Sequence, residues 1–83
     1  MGIAQEVERT EQVLDDLYQN PDDCVSSDTI SNRVQTAVLT PSMKSYFADD
    51  NLDQDCYTRQ ELIDHVNEMI KNDGRALSLG LLS

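Results

Sequence analysis

The stretch YTRQELIDHVNEMI, residues 57–70, decides the fold, because it joins a strong helix start to a long apolar stripe. Thr58 and Glu61 have the spacing of a capping box, in which each side chain accepts a hydrogen bond from the other residue's amide. Tyr57 and Leu62 can form a hydrophobic staple across this start. The apolar residues at helical spacing are Leu62, Ile63, Val66, Met69 and Ile70. We therefore expect an amphipathic helix, closed by KNDG at residues 71–74.

The same spacing predicts three more helices upstream. The first ends before Pro21, and its apolar stripe is Ile3, Val7, Leu14, Leu17 and Tyr18. The second is capped by Ser27 or Asp28, and its apolar face is Ile30, Val34, Ala37 and Val38. The third is short, starts at Thr40-Pro41 and turns Met43, Tyr46 and Phe47 to the core. The predicted fold class is all-α: one domain over residues 1–83, a small bundle of about four helices, one of them short, with an apolar C-terminal tail.

The charge balance restricts the partners of this chain. Sixteen acidic and six basic residues give 83 residues a net charge of −10. Such a polyanion is repelled by phosphate backbones and by anionic membranes, so we expect no direct nucleic-acid or membrane binding. The first twelve residues lack the basic start and apolar run of a signal peptide, and no segment could span a bilayer. These features predict a cytoplasmic protein whose partner has a basic surface.

The two cysteines, Cys24 and Cys56, are 32 residues apart. In a reducing compartment we expect free thiols, and in an exported chain the alternative is one disulfide. The spacing does not fit a structural zinc site, whose ligands come in close pairs. No cofactor is predicted.

The segment NLDQDCYTRQEL, residues 51–62, resembles the calcium loop of the EF-hand family. That loop has twelve residues, with oxygen ligands at positions 1, 3, 5, 7, 9 and 12, glycine at the sixth position and a bidentate glutamate at the twelfth. This chain has Cys56 at the sixth position and Glu61 at the eleventh, and a register from Asp49 puts Gln60 at the twelfth. A divalent-cation site is therefore an alternative hypothesis, with the candidate ligands Asp49, Asn51, Asp53, Asp55 and Glu61.

Catalytic residues are not predicted, so we expect a protein that is not an enzyme. His65 is the only histidine, and a Cys56–His65 nucleophile pair would lack a visible oxyanion framework. The three glycines, Gly2, Gly74 and Gly80, form no phosphate-binding loop.

Two short strings, SYFADDNL (45–52) and DGRALS (73–78), are similar to strings in the small acidic helical regulators of enterobacterial biofilm and acid stress. They span less than half of the chain, and its order and length after Gly74 depart from that family. No prediction depends on this resemblance.

The leading functional hypothesis is a non-catalytic protein-binding module, a small acidic regulator or inhibitor of bacterial or phage type. It would cover a basic surface of its target, in one version by nucleic-acid mimicry. The leucine-rich tail either covers the core or docks on a second chain, and a homodimer is a further expectation. The candidate partner-binding residues are Asp15, Asp16, Asp22, Asp23, Asp49, Asp50, Asp53, Asp55, Leu77, Leu79, Leu81 and Leu82. The alternatives are the divalent-cation-responsive helix–loop–helix and a structural subunit of a larger assembly.

Overall fold

The computed structural model describes residues 3–73, with side chains from residue 8 onward. The elements in chain order are α1 (Ile3–Leu17), β1 (Val25–Ser26), α2 (Ser27–Gln35), α3 (Pro41–Tyr46), a 3₁₀ turn (Asp49–Asn51), β2 (Cys56–Tyr57) and α4 (Arg59–Asn72). This part of the chain is mostly helical, as predicted, and α3 is the short helix. The two strands were not predicted. The leucines of the tail and Gly74 lie outside the described residues.

The helices form two successive helix–strand–helix units, α1–β1–α2 and α3–β2–α4. Their strands pair antiparallel, with Val25 opposite Tyr57 and Ser26 opposite Cys56. The ribbon is extended by the Ser27 amide, which donates to the carbonyl of Asp55 at 2.9 Å. The ribbon therefore joins the two units at their connecting loops.

A disulfide between Cys24 and Cys56 fastens this ribbon, and their Cα atoms lie 5.3 Å apart. The expectation of free thiols is therefore wrong for this structure. The antiparallel pairing explains how the bond forms, because it sets Cys56 opposite Ser26, two residues from Cys24.

Side-chain caps start three of the helices. At α4 both capping-box bonds are present: the Glu61 amide donates to the Thr58 hydroxyl at 3.2 Å, and the Thr58 amide donates to a Glu61 carboxylate oxygen at 2.9 Å. Thr40 caps α3 ahead of Pro41, also as predicted. At α2 the cap is Ser26, which accepts from the Thr29 amide, and not Ser27 or Asp28. The error arises because β1 runs directly into the helix.

A single apolar core lies between the four helices and the ribbon. Its buried residues are Val13, Leu14, Tyr18, Ile30, Val34, Met43, Tyr46, Phe47, Leu52, Tyr57, Leu62, Ile63, Val66 and Ile70. The predicted stripe of α4 is confirmed, with Leu62 and Val66 fully buried and Met69 partly buried. Val38 was predicted on the second helix's apolar face, but it is 72% exposed because α2 already ends at Gln35.

Candidate binding surface at the loop pair

The two loops that lead into the ribbon, residues 18–24 and 47–55, are called here the loop pair. Six of the predicted partner-binding residues lie on it, and all six are exposed: Asp22, Asp23, Asp49, Asp50, Asp53 and Asp55. The other two predicted aspartates, Asp15 and Asp16, lie on α1. The tail leucines, Leu77, Leu79, Leu81 and Leu82, fall outside the described residues.

The disulfide brings acids from the two loops together. Asp23 precedes Cys24 and Asp55 precedes Cys56, and the two cysteine Cα atoms are 5.3 Å apart. Because consecutive Cα atoms are 3.8 Å apart, those of Asp23 and Asp55 lie within about 13 Å of each other. The screening length is about 30 Å at 0.01 M salt and about 8 Å at physiological salt, so the potentials of Asp23 and Asp55 overlap at low salt. The exposed aspartates of the loop pair, which come from segments distant in sequence, are called here the negative patch.

Three positive side chains of the described region, Arg33, Lys44 and Arg59, have partners outside the loop pair. The ion pairs found between residues 8 and 73 are Arg33 with Asp16 at 2.6 Å and Arg59 with Asp15 at 4.0 Å. Lys44 donates to the Gln35 carbonyl at the end of α2. Asp15 and Asp16 are therefore partly neutralised, whereas the loop-pair acids have no Lys or Arg partner within those residues.

Tyr57 determines the shape of the second loop. Its hydroxyl accepts hydrogen bonds from the amides of Asp53 and Gln54 at 2.7 and 3.1 Å, and donates to the Asp53 carboxylate at 2.7 Å. The ring is 1% exposed, and the Tyr18 hydroxyl donates to the Tyr57 carbonyl at 2.8 Å. The loop is therefore closed on a buried tyrosine, a role that the sequence pattern did not reveal.

These contacts shift three pKa values. The hydrogen bond from Tyr57 holds the pKa of Asp53 below its usual range, with a smaller contribution from His65. Burial raises the pKa of Tyr57, and the Asp53 hydrogen bond adds to this. Burial, with the nearby charge of Glu61, raises the pKa of Tyr18 to about 12. Around neutral pH, Asp53 is therefore ionised and both tyrosines are protonated.

Three of the five candidate ligands of the divalent-cation hypothesis have other roles. Glu61 closes the capping box, Asp53 accepts from Tyr57, and the Asn51 side-chain amide donates to the Ser45 carbonyl at 2.5 Å. Within the described residues, no group of three or more His, Cys, Asp or Glu side chains is arranged to hold a metal ion. The geometry gives this hypothesis no support.

The nucleophile–base pair considered from the sequence is also not assembled. Cys56 is bonded to Cys24 and has no free thiol. His65 lies against Tyr57, with ring centroids 5.4 Å apart, and its Nε2 donates to the Asn51 carbonyl. His65 therefore holds the second loop on α4, whereas Cys56 fastens the ribbon.

Comparisons with family models, curated proteins and solved structures found no match to this chain. In the part of the chain that is described, every helix is too short or too polar to span a bilayer.

Proposed function

We propose that this chain is a non-catalytic protein-binding module, a small acidic regulator or inhibitor that covers a basic surface on a target protein. The supporting observation is the negative patch of the loop pair, whose exposed aspartates have no Lys or Arg partner within residues 8–73. Carboxylates left without cations give a potential that steers a positively charged partner and selects against a negative one.

Basic surfaces on proteins include those that bind nucleic acids. The specific version of the proposed function that we favour is therefore mimicry of a phosphate backbone. Nucleic-acid-binding proteins carry Lys and Arg clusters that contact successive phosphates. Acids from two loops within about 13 Å offer such a cluster several negative charges at once. A DNA or RNA fragment should then compete with this chain for its target.

The way in which the loops are held favours binding without large rearrangement. The disulfide, the ribbon and the Tyr57 hydroxyl each fix part of the loop pair. A surface that is already ordered loses less conformational entropy when a partner binds. The same rigidity suits an inhibitor that acts by occupying a surface.

The disulfide also bears on where the protein works. Disulfides persist in oxidising environments and are rare in the cytosol. The bond between Cys24 and Cys56 therefore favours an oxidising compartment over the cytoplasm that the sequence predicted. Labelling of free thiols in protein taken from its native host would decide between the two.

The test is affinity capture of the target followed by binding measurements on the purified pair. In the loop variant, Asp22→Asn, Asp23→Asn and Asp55→Asn remove three charges from the loop pair without touching the Asp53–Tyr57 hydrogen bond. In the matched control, Asp64→Asn, Glu68→Gln and Asp73→Asn remove three exposed acids from α4 and its end.

The wild type and the control should bind the target, the loop variant should bind at least about tenfold more weakly, and added salt should weaken binding. Equal binding by both variants, or affinity independent of salt, would contradict the proposal. Competition by a DNA or RNA fragment tests the mimicry. Recovery of the chain only within a large stable assembly would favour the structural-subunit alternative.

A further inference from the structure

Helix α1 presents two neighbouring clefts of opposite charge to solvent. The first, called here the arginine cleft, has a volume of about 310 Å³ and lies between α1 and the end of α2, with Arg9, Asp16, Arg33 and Val38 in its lining. The second, the acidic cleft, has a volume of about 290 Å³ and contains Glu8, Glu11, Asp15 and Arg59. Gln12 lines both clefts and marks the border between them.

Helical geometry explains this division. Successive residues of an α-helix are rotated by about 100°, so Glu8, Glu11 and Asp15 fall within an arc of about 60°. Arg9 and Asp16 fall on the other side of Gln12. Arg33 adds a second guanidinium there from α2, held by Asp16 at 2.6 Å. The exposed face of α1 therefore has one acidic flank and one flank with an excess of positive charge.

A helix face with two oppositely charged flanks is complementary to a second copy of itself only under one orientation of a two-fold axis. A two-fold axis parallel to the helix places each flank against the opposite flank of the second copy, at the same height along the helix. Arg9 of each copy then meets Glu8 and Glu11 of the other. A two-fold axis perpendicular to α1 would set the two acidic flanks against each other, so the parallel arrangement is the favourable one.

We propose that a second copy of this chain binds on α1, forming a parallel homodimer in which Arg9 of each copy enters the acidic cleft of the other. Arg9 is exposed and forms no ion pair with any side chain of residues 8–73. Val38, the one large apolar side chain that is well exposed in the described region, lies in the arginine cleft and gains cover in such a dimer. This interface uses residues other than the loop-pair acids, so it stands independently of the proposed function.

The net charge of −10 on each copy opposes association, and its effect depends on salt. At 0.15 M salt the screening length is about 8 Å, which weakens repulsion between distant charges more than attraction between groups in contact. At 0.01 M it is about 30 Å, and repulsion acts across the whole dimer. We therefore expect weaker dimerisation at 0.01 M than at 0.15 M salt, the opposite of the salt dependence expected for the basic target.

Analytical ultracentrifugation of the full chain tests the dimer by charge complementation. Arg9→Glu places acids on both flanks, and Glu8→Arg places arginines on both flanks, so each variant alone should associate at least about tenfold more weakly than wild type. An equimolar mixture of the two variants restores both contacts and should form the heterodimer with near wild-type affinity. Lys71→Glu, on α4, is the control and should leave association unchanged.

Far-UV circular dichroism of each variant shows whether its helices are retained. The dimer is refuted if the wild type stays monomeric at millimolar concentration, if both single variants associate like the wild type, or if folded variants fail to associate when mixed. It is also refuted if Lys71→Glu weakens association as much as Arg9→Glu.

Discussion

At the scale of single residues, the Tyr57 hydroxyl forms three hydrogen bonds that close the second loop. Tyr57→Phe leaves two amides and one carboxylate without this partner. The two amide hydrogen bonds are part-buried, and each contributes about 0.5–1.5 kcal/mol net, so we expect the free energy of unfolding, measured in urea, to fall by about 1–3 kcal/mol.

Tyr18→Phe is the matched control, because it removes one hydroxyl with one hydrogen bond from the same core. It should cost about 1 kcal/mol. If Tyr57→Phe destabilises the protein no more than Tyr18→Phe does, then the loop does not depend on the Tyr57 hydroxyl.

The same residues predict how stability changes with pH. The pKa of Asp53 is lowered in the folded state, so its contribution is present above the unfolded value of about 3.9 and is lost as pH falls through the folded value. The pKa values of Tyr18 and Tyr57 are raised, so their contribution is present below about 10 and is lost as pH rises through the folded values.

Unfolding free energies measured across pH test both directions. Asp53→Asn should reduce the acid dependence below about pH 4, and Tyr18→Phe should reduce the alkaline dependence above about pH 10. If Asp53→Asn leaves the acid dependence of the unfolding free energy unchanged, other carboxylates are responsible for that dependence.

At the scale of elements, the capping box sets the start of α4, the helix that contributes Leu62, Ile63, Val66 and Ile70 to the core. Thr58→Ala removes the hydroxyl that accepts from the Glu61 amide and should cost about 1 kcal/mol in urea unfolding. Thr58→Ser keeps the hydroxyl and should lie close to wild type. If both variants lose the same free energy of unfolding, then the threonine methyl group and not its hydroxyl is responsible for the stabilisation.

The helices illustrate what local sequence can predict. The cap at Thr58 and the stripe of α4 follow from residue spacing, because a helix repeats its contacts every three to four residues. Two-residue strands show no such period, so residue spacing did not predict the ribbon. For the same reason it did not predict Ser26 as the cap of α2. The acidic pattern of the sequence predicted the loop-pair acids. Their proximity depends on the pairing between Ser26 and Cys56, which residue spacing does not predict.

At the scale of the whole molecule, the disulfide is the one covalent link between the two helix–strand–helix units apart from the chain itself. The sequence left it as the alternative to free thiols, because the choice depends on compartment and on the three-dimensional approach of two distant residues. In the chain-entropy model, a bond closing a loop of this length stabilises a protein by roughly 3–4 kcal/mol. We expect dithiothreitol to lower the thermal midpoint of the wild type strongly.

Cys24→Ser with Cys56→Ser is the control for this prediction. The double variant should melt near the reduced wild type and should not respond to dithiothreitol. Identical midpoints for oxidised and reduced wild type would show that the ribbon and the core hold the fold without the bond.

The segment between α2 and α3 is an expected site of proteolysis. Exposed connecting segments are preferred sites of cleavage, and residues 36–40 join the two units beside the exposed Val38. A single nick there would separate two peptides, one containing Cys24 and the other Cys56. On a gel without reductant the nicked protein should migrate as one species, and with reductant as two fragments, so limited digestion can cut the chain without releasing either half.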